Sequence, residues 1–343
     1  MQANSIKPRA IRRFETLRSE KTLTHQATSI EVSGLLTYKV AVLLPCYNEG
    51  STIGVVVKAF IEALPHARVY VYDNNSTDNT SAEASAAGAI VRREPRQGKG
   101  HVVRRMFADI DADIYVMADG DNTYDASAAP ALIQALVANQ LDLVNGARVA
   151  PEALAYRLGH RTGNVILSGI VRCIFGRQFR DMLSGYKVFS RRFVKSFPLM
   201  SKGFEIETEF TVHALELGMS CAELQTVYDV RPEGSESKLR TIPDGIKILM
   251  LIARLIKDEK PFAFFATLAL VALLIGMATG IPVIFEFLDT RTITRLPSAV
   301  LSAGIIVISA LLFTTALILD MVTKTRREIK RLAYLSAGTR LWL

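Results

Sequence analysis

Two carboxylates separated by a single glycine are the strongest candidates for chemistry in this sequence. Asp119-Gly120-Asp121 follows the apolar run Ile114 to Met117, which is typical of a buried strand. Carboxylates two residues apart at a strand end can converge on one divalent cation, and hard oxygen ligands select Mg²⁺ or Mn²⁺. Such an ion can neutralise the charge that develops as a nucleotide diphosphate leaves. The alternative is an acidic surface turn, which the intervening glycine and the preceding strand make less favoured.

Three further polar segments have the composition of a nucleotide site. Residues 44–49, Leu-Pro-Cys-Tyr-Asn-Glu, end one strand and open a helix, so they can present N–H groups and a carboxylate, or form only a capped helix start. Asp73 follows the next strand and can accept bonds from a base or from ribose hydroxyls. Thr77 or Asp78 is expected to cap the next helix. Lys99, between Gly98 and Gly100, adds a cation on a flexible turn that suits a phosphate.

Cations are spread over the irregular half of the chain that follows residue 146. A guanidinium pairs bidentately with phosphate, so such residues near a membrane could hold an anionic acceptor. Each alone could equally be a solvated surface charge. The candidates are Arg148, Arg161, Arg231 and Lys238.

The elements that must position these residues are strands alternating with helices between Lys39 and Ala150. This alternation predicts βαβ units and a parallel sheet, whose ligands bind just outside the carboxyl ends of the strands. The predicted strands are Lys39–Leu44, Arg68–Tyr72, Ala89–Arg92, Ile114–Met117 and Leu141–Asn145, and the predicted helices are Thr52–Leu64, Asn79–Ala87, Lys99–Asp109 and Ser127–Asn139.

Composition narrows the class of partner. The net charge of +8 suits nucleic acid, an anionic membrane or phosphorylated substrates. No zinc-finger spacing or RNA-binding aromatic motif is present, so no nucleic-acid partner is expected. The three cysteines, Cys46, Cys173 and Cys221, are scattered and form no CxxC pair, which indicates a reducing compartment.

Two long apolar stretches, Phe262–Leu288 and Pro297–Val322, each exceed the roughly 20 residues that cross a bilayer. Basic residues lie before the first stretch and after the second. By the positive-inside rule, both termini and the α/β domain are therefore expected in the cytoplasm, with the two helices in the inner membrane. The stretches Val165–Phe175 and Asp244–Ile256 could lie in the membrane interface or be ordinary core helices. The polar, basic start of the chain is not a secretory signal.

These features together define a domain plan. It comprises a basic extension (1–38), a catalytic α/β domain (39–240), a juxtamembrane amphipathic helix (241–261), two transmembrane helices (262–323) and a cytoplasmic basic tail (324–343).

At this point an ordered set of motifs resembles a known family. LPCYNE, YDNNSTDNT, QGKG, ADGDNTYD, DMLSGYKVFSRR, GFEIETE and RPEGSESKLRT look like those of the family 2 inverting glycosyltransferases, which have the GT-A fold, a Rossmann-like, mostly parallel sheet with helices on both faces. Within it, residues 39 to 260 most resemble the polyprenyl-phosphate branch, which includes dolichol-phosphate mannose synthases and undecaprenyl-phosphate glycosyltransferases. The resemblance implies transfer of a hexose or N-acetylhexosamine from a nucleotide sugar, UDP being favoured, to a polyprenyl phosphate for the cell envelope.

The resemblance also implies roles for single residues. Asp119 and Asp121 match the acid pair that serves donor and metal, and Glu205 and Glu207 lie where soluble relatives place acids or bases. Residues that match nucleotide-sugar contacts are Pro45, Tyr47, Glu49, Asp73, Lys99 and Asp119, and those that match contacts to the acceptor phosphate or donor diphosphate are Arg148, Arg161, Ser184, Arg231 and Lys238. Glu205, Arg148 and Ser184 join the acid pair as catalytic candidates.

One departure and two alternatives remain. Many relatives carry two consecutive acids after the second strand, whereas Asp73 is followed here by Asn74.

The chain could instead be a family 2 transferase that acts on a polysaccharide or another acceptor, or a non-catalytic membrane-tethered binder of nucleotide sugars. A nicotinamide dehydrogenase is excluded because no GxGxxG turn follows the first strand. Interface-lying helices and two spans per chain favour a homo-oligomer.

Overall fold

The computed structural model describes residues 38–149, 179, 181–198, 206–229, 261–292 and 295–338. The predicted basic extension, apart from residue 38, and both predicted interfacial stretches lie outside these residues.

The described part of the α/β domain is built on a seven-stranded sheet with the order β3-β2-β1-β4-β6-β5-β7. All neighbouring pairs are parallel except those of β6, which runs antiparallel to β4 and β5. The strands are β1 (Val40–Cys46), β2 (Arg68–Asp73), β3 (Ile90–Arg93), β4 (Ile114–Met117), β5 (Leu143–Val149), β6 (Lys187–Ser190) and β7 (Cys221–Val227). The predicted mostly parallel α/β sheet is thereby confirmed.

Helices connect the strands and cover the sheet. They are α1 (Ile53–Ala63), α2 (Thr80–Ala86), α3 (Lys99–Asp109), α4 (Ala129–Ala138), α5 (Arg191–Ser196) and α6 (Ile206–Leu217), with a short 3₁₀ turn at Ala126–Ala128. The bounds of β4 and α3 are those that the sequence predicts. β5 begins and ends later than predicted, because it pairs with β7 along Leu143 to Val149 and this pairing carries the strand beyond its apolar residues.

An aromatic cluster holds α3, α5 and α6 against the sheet. Phe107 of α3 lies edge-on to Phe189 of β6 with ring centroids 5.8 Å apart, and Phe189 lies 4.9 Å from Phe210 of α6. Phe193 of α5 stacks beside Phe189 at 4.8 Å. Buried aromatic pairs of this kind stabilise beyond their area alone. The cluster therefore fixes α3 and α6, the two helices whose first turns carry Lys99 and Glu207.

Two long helices follow, α7 (Pro261–Thr290) and α8 (Leu296–Ser336). Both are long and apolar enough to cross a membrane, and only 11% of the most apolar window of each is buried. They pack through small residues: Gly276 lies against Ile306, and the Ser309 hydroxyl donates to the Ala269 carbonyl at 2.7 Å. α8 does not end at Val322, where its apolar stretch was predicted to end, but continues as helix through Ser336.

His213 of α6 makes the stability of the fold depend on pH. Its side chain is buried against Phe193 and Phe197, and burial, with Lys330 nearby, lowers its pKa to about 3. Since an unfolded histidine titrates near 6.5, the unfolded state binds the extra proton below that pH. We expect the free energy of unfolding to fall by about 1.4 kcal/mol per pH unit as pH decreases from 6.5.

Thermal unfolding in detergent between pH 7.5 and 5 checks this expectation. A His213→Phe variant should lose less of its melting temperature over this range than the wild type does. Equal losses in the two proteins would show that His213 is not responsible.

Candidate active site

The carboxyl ends of β1, β2 and β4 bring the predicted nucleotide and metal residues to one edge of the sheet. Cys46 at the end of β1 is in register with Asp73 at the end of β2, and β1 also pairs with β4. The Thr52 hydroxyl at the start of α1 donates to the Gly120 carbonyl at 2.7 Å, which ties the first loop to the acid pair.

Asp119 is held by a buried cation. Lys99 Nζ lies 2.5 Å from Asp119 Oδ1 and 2.5 Å from Glu207 Oε1, and its side chain is 9% exposed. Burial alone would lower the pKa of Lys99, yet the two carboxylates raise it above its ordinary value. Burial conversely raises the pKa of Glu207, against the opposing effect of Lys99. Lys99 therefore stays charged and shares its charge between a partly exposed carboxylate and a buried one.

Glu207 was a sequence candidate only through the resemblance to soluble relatives, which place an acid or base there. It lies in the first turn of α6, far from Lys99 in the chain. No local sequence pattern therefore predicts this ion pair.

A glycine makes room for the Asp119 carboxylate. A β-carbon on Gly185 would lie 2.9 Å from Asp119 Cγ and closer still to Oδ2, which is a collision with the functional group itself. The amide of Gly185 donates to the Tyr124 hydroxyl at 2.7 Å, so the backbone is fixed at this close approach. The Ser184-Gly185-Tyr186 segment thus forms a wall of the Asp119 site.

Asp121 is nearly buried, with 2% of its surface exposed. Its Oδ1 accepts from the Thr123 hydroxyl at 2.6 Å, which fixes the carboxylate. Gly120 is required here as well, since a β-carbon would lie 2.6 Å from Cys46 Sγ. Within the described ranges, no group of three or more His, Cys, Asp or Glu side chains converges as a metal site would.

The loop after β1 is locked to the loop after β2. Asn48 adopts a φ of 52°, its amide donates to Ser76 Oγ at 2.9 Å, and its Oδ1 accepts from the Thr77 amide at 2.8 Å. Asp78 Oδ2 accepts from the Gly50 amide at 2.9 Å. Asp78 Oδ1 also accepts from the Thr80 amide in the first turn of α2, but the N-cap residue of this helix is Asn79 and not Thr77 or Asp78 as predicted. Pro45 is buried beneath this loop, while Tyr47 and Glu49 are half-buried at its surface.

Asp73 is also part of this lock. Its Oδ1 accepts from the Ser76 amide at 2.8 Å and its Oδ2 from the Ser81 hydroxyl at 2.6 Å. Burial would raise the pKa of Asp73, but the hydrogen bonds from Ser76 and Ser81 lower it below its usual value. The carboxylate is therefore ionised and rigidly oriented at the predicted nucleotide edge, with 6% of the residue exposed.

Asn74, which departs from the family pattern, stabilises the loop before α3 through side-chain hydrogen bonds. Its Nδ2 donates to the carbonyls of Glu94 and Arg96 at 3.0 and 2.7 Å, and its Oδ1 accepts from the Gly98 amide at 2.7 Å. The residue is 3% exposed. It clamps the loop that leads directly into Lys99, so an acid at this position could not make the two donated bonds.

We expect Asn74→Asp to lower kcat/KM for the sugar donor about tenfold or more. The substitution removes two buried donors and faces two carbonyls with an anion, at a cost of about 1–3 kcal/mol for each unsatisfied group. Steady-state kinetics with varied donor check this, with Asn75→Asp as the control, because Asn75 donates only to the Pro95 carbonyl in an exposed bond. Equal effects of the two variants would contradict the clamp.

Arg148 lies near the end of β5 and is already engaged. Its Nε and a terminal nitrogen bond the two oxygens of Asp181 at 2.7 and 2.8 Å, and its guanidinium lies 5.5 Å from the Tyr228 ring centroid. Burial opposes the charge, but the bonds to Asp181 raise the pKa of Arg148. Asp181 thus orients the guanidinium and neutralises part of its charge.

Behind this pair lies a fully buried cation, Lys187. Its Nζ donates to Asn145 Oδ1 at 2.5 Å, and Asn145 in turn donates to the Asp181 carbonyl at 2.7 Å. Burial lowers the pKa of Lys187 to about 8, although Asp181, Glu207 and Glu223 act in the opposite direction. The pair of Arg148 with Asp181 is therefore backed by a continuous polar network.

Ser184 does not present its hydroxyl to a ligand in this structure. The side chain is fully buried, donates to the Gly146 carbonyl at 2.5 Å and accepts from the Tyr186 amide at 3.2 Å. This hydroxyl joins β5 to the wall of the Asp119 site, so its contribution is to position backbone. The predicted residues Arg161, Glu205, Arg231 and Lys238 lie outside the described residues.

A cavity of about 570 Å³ opens beside the acid pair, lined in part by Asn122, Tyr124, Asp125 and Asp229. Its charged lining is acidic, with Glu62 as the third carboxylate. This acidic lining disfavours direct binding of an anionic group such as a phosphate.

Comparison with known proteins places this site in a family. The Glycosyl transferase family 2 model matches residues 41–197, from the second residue of β1 to just beyond α5, and this range includes the acid pair. Glycosyltransferase AglJ of Haloferax volcanii is 35% identical over 293 residues, covering 84% of this chain and 95% of that protein. Protein RfbJ of Shigella flexneri is 53% identical over 126 residues, covering 36% of this chain and 98% of that protein.

Solved structures show the same fold. Glucosyl-3-phosphoglycerate synthase of Mycobacterium tuberculosis, crystallised with Mn²⁺ and UDP-glucose, superposes with a TM-score of 0.53 at 24% identity, covering 65% of this chain and 82% of that one. The acid pair at the sheet edge, the locked nucleotide loops and these matches lead to one conclusion: the chain belongs to Glycosyl transferase family 2.

Proposed function

We propose that this chain transfers a hexose or N-acetylhexosamine from a nucleotide diphosphate sugar, with UDP favoured, to a polyprenyl phosphate with inversion. The observation that carries the proposal is that one chain contains both the Asp119–Lys99–Glu207 cluster and two helices that can cross a membrane. A transferase whose acceptor is a membrane lipid must keep its site at the bilayer, and such helices would do this.

The acid pair fits a divalent cation of the Mg²⁺ or Mn²⁺ type. Asp121 and Asp119 offer hard carboxylate oxygens, and such ions are commonly held by one or two carboxylates, with substrate phosphates and water completing the shell. The solved relatives bound to Mn²⁺ or Mg²⁺ with UDP support this reading. When bound, the ion would neutralise negative charge on the departing diphosphate.

The residues of the chain contribute mainly position and charge. We assign the uracil and ribose to the rigid edge formed by Asp73 and the loop from Pro45 to Glu49. Lys99 holds the Asp119 carboxylate in place for the donor through their ion pair. Arg148, oriented by Asp181, is assigned to the acceptor phosphate or the donor diphosphate.

The reaction is a single displacement. An oxygen of the lipid phosphate forms a bond to the anomeric carbon, and the bond from that carbon to the nucleotide diphosphate breaks, with the electron pair leaving on the diphosphate. The acceptor phosphate is already an anion near neutral pH, so no strong general base is required. Positioning and electrostatic stabilisation then supply most of the rate.

The membrane assignment rests on α7 and α8. The basic residues after Val322 and before Pro261 support, by the positive-inside rule, a cytoplasmic position for both helix ends that adjoin the catalytic domain. The lipid phosphate, which lies at the headgroup level, is then on the same side as the nucleotide sugar.

A donor screen on detergent-purified full-length protein tests the proposal. UDP-glucose, UDP-N-acetylglucosamine, UDP-galactose and GDP-mannose are each offered with Mn²⁺, with and without undecaprenyl phosphate, and release of nucleoside diphosphate is followed. We expect release from one donor that depends on the lipid. Release that ignores the lipid, or none from any donor, would refute the acceptor and favour a polysaccharide acceptor or a binding role.

A further inference from the structure

The end of α8 is bound to the catalytic domain through a buried carboxylate. Glu216, at the C-terminal end of α6, has a side chain that is 0% exposed. Its two oxygens meet Arg327 Nε at 3.1 Å and Lys330 Nζ at 2.5 Å, both from α8. A buried carboxylate is tolerated only while it is paired, so this contact resists separation of the two helices.

A second contact lies one helical turn further along α8. The Tyr334 hydroxyl donates to Asp142 Oδ2 at 2.8 Å, and the Arg192 guanidinium lies 4.9 Å from the Tyr334 ring centroid. Arg192 also pairs with Asp142 Oδ1 at 3.2 Å, and the Asp142 side chain is only 2% exposed. Two consecutive turns of α8 are therefore bound to the α/β domain, and together they resist rotation of the helix about either contact.

The two elements held in this way carry site residues at their opposite ends. α6 extends from Glu207, which binds Lys99, to Glu216. β5 begins just after Asp142 and carries Arg148 near its other end. α8 thus holds the edge of the sheet that lies opposite the candidate site.

The lengths of these elements match. From Val322, the predicted end of the apolar stretch, to Tyr334, α8 rises about 18 Å at 1.5 Å per residue. From Asp142 to Arg148, β5 extends about 20 Å at 3.3 Å per residue. β5 is therefore long enough to cover the distance between the Tyr334 contact and the level at which the apolar stretch of α8 ends.

We propose that the part of α8 from Thr323 to Ser336 is a strut that fixes the catalytic domain with its active-site edge turned towards the bilayer. This inference rests on the proposed function, because only a membrane acceptor requires the edge at that height. The Glu216 and Asp142 contacts are positioning contacts and take no part in the reaction itself.

Two dye positions test the orientation directly. A fluorophore on an unnatural amino acid replaces exposed Asn79, at the active-site edge, or exposed Asn139, at the opposite edge. The full-length protein is placed in vesicles of phosphatidylethanolamine and phosphatidylglycerol with acceptor dye in the headgroups. Energy transfer should place position 79 closer to the bilayer than position 139. Equal heights, or the reverse order, would overturn the proposal.

Lys330→Glu tests the contact, and Arg331→Glu is its matched control. The first places a second acid against buried Glu216, whereas the second makes the same charge change on an exposed neighbour. Lys330→Glu should abolish the height difference and lower transfer to undecaprenyl phosphate in vesicles at least tenfold. Transfer to water-soluble geranyl phosphate should stay within twofold, and Arg331→Glu should behave as wild type.

Equal losses with both acceptors in Lys330→Glu, or an unchanged height difference, would overturn the strut. A wild-type protein with the expected heights but no lipid-dependent transfer would instead refute the proposed acceptor and support the strut. The two failures are thereby distinguished.

Discussion

Asp121→Asn should lower kcat about 10³-fold at saturating Mn²⁺, which is the magnitude lost when a principal stabiliser of leaving-group charge is removed. The amide keeps an oxygen that can accept from Thr123, whose hydroxyl lies 2.6 Å from Asp121 Oδ1, so the loop should remain folded. The loss would therefore report on charge at the metal site. Nucleoside diphosphate release under saturating donor and lipid, with metal titrated to saturation, measures it.

Asp125→Asn is the matched control for this substitution. Asp125 lies four residues further along the same loop, and its oxygens accept from the amide and the hydroxyl of Ser127 at 2.8 and 2.7 Å. Asn caps about as well as Asp, so this substitution should leave the cap nearly intact and kcat within about threefold of the wild type. Near-wild-type turnover of Asp121→Asn would contradict the proposed role of the acid pair.

Lys99→Met should cost both activity and stability. It leaves the buried Glu207 and the half-buried Asp119 without their shared cation, and an uncompensated buried charge costs about 3–5 kcal/mol. We expect kcat/KM to fall about 10²-fold or more, because Asp119 loses its orientation, and the melting temperature to fall as well. Kinetics and thermal unfolding on the same preparation measure both effects.

The double variant Lys99→Met/Glu207→Gln separates the two effects. It removes the buried charge that destabilises the single variant, so the melting temperature should recover towards the wild type. Activity should not recover, because the cation beside Asp119 is still missing. Recovery of activity with stability would show that Lys99 has only a structural role.

The local pattern of the sequence predicted most of the first half of the sheet. Apolar runs of strand length separated by helical spacing gave β4 and α3 their observed bounds, because both elements are bounded by glycine or acidic turns. The predicted acid pair, Asp73, Lys99 and the loop at residues 44–49 all come to one edge, as parallel strands require.

Local sequence patterns could not predict contacts between residues that are distant in the chain. The pairing of Lys99 with Glu207, and of Arg148 with Asp181, depends on how α6 and the loop before β6 pack, and neither spacing nor composition encodes it. The role of Asn74 was unreadable for the same reason, since its partners lie 20 or more residues away. The continuation of α8 past Val322 was not predicted because the residues that follow are largely basic and show no apolar stretch. Their partners Glu216 and Asp142 are buried and lie far away in the sequence.

The central claim is that the sugar ends on a lipid phosphate, and recovery of the product tests it most directly. Wild-type protein and Asp121→Asn are incubated with a radiolabelled nucleotide sugar and undecaprenyl phosphate, and the organic extract is analysed by mass spectrometry. We predict an undecaprenyl phosphate that carries one sugar, formed by the wild type and reduced about 10³-fold in the variant. Label that stays in the aqueous phase or enters a polymer, with the lipid unmodified, would contradict the account.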